Sequence, residues 1–104
     1  MIVEQRTYTL RPGKGGEWLE IYEREGRDLQ VGHLGRMIGY FTTEIGPLNQ
    51  IVHLWAYEDL EDRRRRREAL TSTDEWKALL GKLLPLCRDM ESKILIPAPF
   101  SPIR

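Results

Sequence analysis

Gln50-Ile51-Val52-His53-Leu54-Trp55-Ala56-Tyr57 alternates as a strand does, yet neither of its faces is built for water. Period-two geometry sends Val52, Leu54 and Ala56 to one side and His53, Trp55 and Tyr57 to the other. A two-layer domain needs one apolar sheet face to cover its helices. If the aliphatic face does this, the imidazole, indole and phenol must be buried against something else, a partner chain or a ligand.

Reading outward, a first strand is expected from about Ile2 to Leu10, with Glu4, Arg6 and Tyr8 on one face and Val3, Gln5, Thr7 and Thr9 on the other. Arg11-Pro12-Gly13 turns the chain into a helix from about Gly16 to Gln30. Trp18, Ile21, Tyr22, Gly26 and Leu29 form its stripe, and Gly26 would let it lie close to a sheet. Gly32-His33-Leu34-Gly35 ends it, and Met37 to Ile45 reads as a second strand. Gly46-Pro47-Leu48-Asn49 then closes a hairpin with Gln50–Tyr57. Its register is open: either Tyr40, Thr42 and Glu44, or Phe41 and Thr43, share a face with His53.

Asp59 is a plausible N-cap for a helix from Leu60 to about Leu70. Ser72 and Glu75 have capping-box spacing ahead of Trp76, Leu79, Leu80 and Leu83, and Pro85 interrupts that run. A short strand, Ser92 to Ile96, precedes an extended proline-rich tail at 97–104. The order strand, helix, strand, strand, helix in two pieces, strand predicts one α+β domain, a ferredoxin-like βαββαβ sandwich. Its four-stranded antiparallel sheet carries helices on one face and sets strands one and three side by side. The uncovered face would then carry Trp55 and Tyr57, a patch that soluble monomers seldom expose, so a homodimer through the open sheet face is expected.

Composition narrows the function classes. The 104 residues hold 16 Lys and Arg against 16 Asp and Glu, so no long-range field gathers nucleic acid. No apolar run approaches the ~20 residues of a membrane span, and the N-terminus has no signal-peptide segment, so a cytoplasmic protein is expected. Cys87 is the single cysteine, read as a small buried hydrophobe on a helical stripe. Arg63 to Arg67 are consecutive and wind around their helix, with Asp59, Glu61 and Asp62 each four residues before an arginine. That describes a solvated, self-neutralised helix better than an RNA patch. Arg63 or Arg67 shares the Leu60 and Leu70 stripe, so one stem is expected along the core with its head at the rim.

Ile38-Gly39-Tyr40-Phe41 together with Gly46-Pro47-Leu48-Asn49 and the His53-Leu54-Trp55 strand resembles the core signature of the NIPSNAP family. The likeness runs from Arg6-Thr7-Tyr8-Thr9-Leu10-Arg11-Pro12-Gly13 to Glu91-Ser92-Lys93-Ile94-Leu95. It implies the dimeric α/β-barrel superfamily, in which ferredoxin-like subunits pair their sheets into a barrel whose interior often binds aromatic molecules. The resemblance supplies no reaction, since fold membership alone is weak ground for chemistry.

With strands one and three adjacent, Glu4, Arg6 and Tyr8 would stand beside His53, Trp55 and Tyr57 on the barrel side. The candidate catalytic residues are His53 as acid or base, Tyr8 and Arg6, and the candidate ligand contacts are Glu4, Trp55, Tyr57 and Tyr40. A plainer alternative has Glu4 and Arg6 paired and His53 hydrogen-bonded inside the dimer. Neither histidine belongs to a metal-binding cluster, Gly13-Lys14-Gly15-Gly16 reads as a turn, and no serine sits in a nucleophile elbow, so no metal and no cofactor are expected. The favoured function is binding of a small apolar or aromatic molecule, with cofactor-free oxidation or isomerisation if the protein is an enzyme. A noncatalytic interaction module is the second reading. Haem binding or degradation is the third, with only His53 or His33 to offer as axial ligand.

Overall fold

Alternating β-branched and aromatic side chains draw Ile2–Leu10 into strand β1 in the computed structural model, which describes residues 1–104. There follow helices α1 (Gly15–Glu25) and α2 (Arg27–Leu34), strands β2 (Arg36–Thr42) and β3 (Gln50–Tyr57), and helices α3 (Leu60–Thr71) and α4 (Asp74–Leu83). A short 3-10 turn, Leu84–Leu86, leads into strand β4 (Cys87–Leu95). The antiparallel sheet has the order β2-β3-β1-β4, so β1 and β3 are the central pair of a ferredoxin-like α+β sandwich. No helix is long and apolar enough to cross a membrane.

Local details differ from the sequence reading where chain geometry overrides pattern. The first helix breaks in two at Gly26. A Cβ there would lie 2.7 Å from Leu79 Cδ2, so this glycine lets the α1–α2 joint approach α4 and not the sheet. β2 stops at Thr42, because the turn that follows needs positive φ at Gly46 and Asn49. Thr73, not Ser72, caps α4, its hydroxyl accepting from Trp76 N at 3.2 Å. β4 begins at Cys87, five residues earlier than expected. Its alternation is masked by Arg88, Asp89, Glu91 and Lys93, as suits an exposed edge strand, and the backbone ladder to β1 defines it. Cys87 is therefore a half-buried strand residue, not a helical one. The tail turns at Ala98–Ser101, where Ser101 N donates to Ala98 O at 2.9 Å.

The two faces of β3 go to destinations opposite to those expected. Ile51, His53, Trp55 and Tyr57 face the helices together with Ile2, Glu4, Tyr8 and Leu10, and all eight are buried. Trp18, Tyr22, Leu79 and Leu83 close over Tyr8, Leu10 and Ile51, while Leu34 and Leu70 close over Ile2, Trp55 and Tyr57. Val52 and Leu54 lie on the open side, paired with Thr7 and Gln5. Volume decides the matter. Helices and sheet leave a gap of roughly 10 Å between their axes, which large aromatic side chains fill and Thr7, Thr9 and Gln5 do not. The parity of Ile2, Leu10 and Ile51, which match the Glu4 and His53 faces, was the sequence signal.

Candidate functional site

Register brings the candidate residues of β1 and β3 into one row. Glu4 pairs with Trp55 and Arg6 with His53, Tyr8 and Tyr57 follow on the same face, and β2 adds Tyr40 opposite His53. This resolves the hairpin register in favour of Tyr40, while Phe41 pairs with Val52 on the open side. The constellation expected from sequence exists, but it lies within the single chain, between sheet and helices, and not in a barrel formed by two sheets.

Glu4 is fully buried and accepts four hydrogen bonds. Arg63 Nε reaches Oε1 at 3.1 Å, and Oε2 takes Arg63 NH2 at 2.8 Å, Arg6 NH1 at 2.9 Å and Ser92 Oγ at 2.6 Å. Burial, the largest influence, would raise its pKa, but the bonds from Arg63 and Ser92 and the charges of Arg6 and Arg63 together outweigh it and hold it at about 2. Arg6 also donates from Nε to Tyr8 Oη at 2.7 Å. The arginine run thus divides by side. Arg64 pairs with Glu61 and Glu68 on the exposed side of α3, and Arg65 and Arg66 pair with the buried Asp62 on its flank. Arg63 turns inward to Glu4 and not to Asp59, which caps the helix by accepting from Asp62 N at 2.7 Å.

His53 is held by its neighbour two residues along the same strand face. Trp55 Nε1 donates to His53 Nδ1 at 2.7 Å. An indole can only donate, so Nδ1 is an acceptor and the imidazole hydrogen sits on Nε2. Tyr40 stacks on the ring at 4.8 Å between centroids, and Tyr8 meets it edge-on at 5.0 Å. Burial, then the Arg6 charge, lowers its pKa to about 3 against the opposing pull of Glu4. Near neutral pH His53 is therefore an uncharged donor, and its Nε2 is buried without a partner, as is Tyr57 Oη. This geometry makes a general-base role unsuitable, because the one free nitrogen already carries hydrogen.

Beside His53 lies a cavity of about 30 Å³ walled chiefly by Tyr8, Trp18, Tyr22, Tyr40 and Trp76, with Leu80, Leu83 and Met90 toward the gap between α4 and β4. The polar tips of its wall are tied down. Trp18 Nε1 donates to Tyr40 Oη at 2.9 Å and Tyr22 Oη donates to Gln30 Oε1. Burial raises the pKa of both Tyr22 and Tyr40, so both remain neutral donors. Trp55 and Tyr57 do not line this cavity, and Tyr57 instead packs with Leu34 and Leu70. The helix-borne members, Trp18, Tyr22, Arg63 and Trp76, are not among the candidates that the sequence offers, because nothing local says which helix face meets which strand. The i, i+4, i+7 spacing of Arg63, Arg67 and Leu70 was the one available hint.

A NIPSNAP family profile matches residues 3–102. The human protein NipSnap homolog 2 is 40% identical over 99% of this chain, and the chain covers 35% of that protein. The chain spans about a third of the length of such curated relatives. Among solved structures, a NIPSNAP family protein of unknown function from Agrobacterium tumefaciens superposes with a TM-score of 0.98 at 44% identity, covering 100% of this chain and 94% of that one. An uncharacterized NIPSNAP-like domain protein from Burkholderia xenovorans gives 0.95 at 55% identity, covering 97% and 88%. An antibiotic biosynthesis monooxygenase gives 0.66 at 14% identity, covering 95% and 100%, which speaks to fold alone.

Proposed function

The chain belongs to the NIPSNAP family, and on that premise we propose that it binds a small, largely apolar or aromatic molecule between its sheet and its helices. The observation that carries this reading is a buried, uncharged histidine whose donor nitrogen has no partner, set in the wall of an aromatic cavity. Packed cores rarely leave such a donor unpaired, and a ligand oxygen would satisfy it. At about 30 Å³ the cavity has room for little more than water, so a ring enters by displacing the rim side chains Leu80 and Met90, the latter exposed.

Chemistry, if the bound molecule reacts, is of the cofactor-free oxidation or isomerisation class. His53 Nε2–H would hydrogen-bond a carbonyl or phenolate oxygen as negative charge collects on it, a donor role in place of the acid–base role expected from sequence. The apolar residues of the open face, Phe41 above all at 54% exposed, support a homodimer through that face. The noncatalytic interaction reading draws on the same face. Haem has the weakest support, because His53 accepts from Trp55 at Nδ1 and so carries its hydrogen on Nε2, the nitrogen that would have to ligate iron, and the cavity beside it is far smaller than a macrocycle.

Titration with 1-naphthol, read by tryptophan fluorescence, tests the binding reading, since Trp18 and Trp76 line the cavity. Saturable quenching that weakens in His53→Asn is expected. Quenching that rises linearly with no saturation would sink the proposal.

A further inference from the structure

Three guanidinium groups share the layer between β1 and α3 with one carboxylate. Arg6 and Arg63 are both engaged by Glu4, whose four accepted bonds are about the capacity of a carboxylate. Arg67 lies one turn beyond Arg63 on the sheet-facing side of α3, and it has neither a side-chain hydrogen bond nor an ion pair. It is half-buried, and burial and the charges of Arg6 and Arg63 oppose its own charge more than the attraction of Glu4 favours it. Three cations against one anion leave an excess of two positive charges in a poorly solvated layer.

The unpaired groups nearby are of matching kind. His53 Nε2–H and Tyr57 Oη, on residues 1% and 3% exposed, are the buried side-chain polar atoms without partners, and both residues lie within the field of Arg67. His53 belongs to two places at once, since it also walls the aromatic cavity. A half-buried guanidinium with free donors, whose charge is felt at a neutral donor in the wall of an apolar cavity, is complementary to a planar anion on a hydrophobic body.

We infer that Arg67, supported by Arg6 and Arg63 and joined by His53 Nε2–H, receives the carboxylate of the ligand whose apolar part enters the aromatic cavity, so that the ligand class is a small aromatic carboxylic acid. This rests on the binding reading above. A monoanion offsets part of the excess charge, and a planar carboxylate matches the guanidinium fork. Arg67 is on this account not a structural residue: relieving its repulsion with Arg6 and Arg63 leaves stability unchanged or higher.

The test compares wild type with Arg67→Met, using 2-naphthoate, neutral 2-naphthalenemethanol and, as a carboxylate without a body, formate against chloride at equal ionic strength. In wild type naphthoate should bind about tenfold or more tighter than the alcohol, the worth of one charge-assisted hydrogen-bonded contact. Arg67→Met should erase that preference, keep the affinity for the alcohol, and melt no lower than wild type. Equal binding of the two naphthyl probes, or a preference that survives Arg67→Met, overturns the carboxylate inference and leaves cavity binding standing. Formate raising the melting temperature only when Arg67 is present, with neither naphthyl probe bound, supports the anion site and removes the cavity reading. If no probe acts, both are overturned.

Discussion

His53→Asn offers the sharpest check on the buried neutral imidazole, because the quantity read is a slope and not an absolute stability. Asparagine keeps an acceptor near the Nδ1 position for Trp55 Nε1, and it removes the titrating ring. In the unfolded chain the histidine has its ordinary value of 6.5, and in the folded chain about 3. Between those values the unfolded chain binds a proton that the folded chain refuses, so the contribution is fully present above 6.5 and is lost progressively as pH falls toward 3. At 1.36 kcal/mol per pKa unit, moving from about pH 7 to about pH 5 costs the wild type ~2 kcal/mol through this residue. Glu4 begins to contribute only below its ordinary 4.5, outside that interval. Urea unfolding of both proteins, followed by tryptophan fluorescence at fixed protein concentration, measures the difference. The wild type should lose ~2 kcal/mol more than His53→Asn across the interval. Parallel losses in the two proteins would refute the claim that His53 is held neutral by burial.

Three further outcomes are expected. Glu4→Gln removes the carboxylate that neutralises Arg6 and Arg63 and should destabilise by ~3–5 kcal/mol in urea unfolding, with a loss below 1 kcal/mol counting against the buried cluster. Asp59→Ala deletes the side chain that accepts from Asp62 N at the start of α3 and should cost about 1 kcal/mol, read as a lowered thermal midpoint. Phe41→Asp places a charge on the open sheet face and should dissociate the proposed homodimer in light scattering while leaving far-UV circular dichroism unchanged; an undisturbed dimer would move the interface elsewhere.

How far the site could be read from the chain depends on whether a relation is local. Alternation along β1 and β3 is local, so the grouping of Glu4, Arg6 and Tyr8 and of His53, Trp55 and Tyr57 was legible, as was their adjacency once the βαββαβ order placed the strands side by side. The tie between Trp55 and His53 needed only two residues on one strand face. The partners of Glu4 did not follow from local pattern. Arg63 is 59 residues away and Ser92 is 88, and nearer acids such as Asp59 and Glu61 offered Arg63 an equally plausible match.

The sequence by itself determined the order of elements, the sheet topology that follows from right-handed crossovers, the two-faced character of β3 and the family to which it points. Only the tertiary structure decided which face of β3 meets the helices. Period-two alternation is symmetric, so the chain states what each face carries without stating where each face goes. That choice is made by volume and by charge. Trp18, Tyr22, Leu70, Leu79 and Leu83 need large partners across the gap, and Arg63 needs the buried Glu4, so the aromatic and ionic face turns inward. His53 changes accordingly from a prospective base in a dimer's interior to a neutral donor between the sheet and helices of one chain.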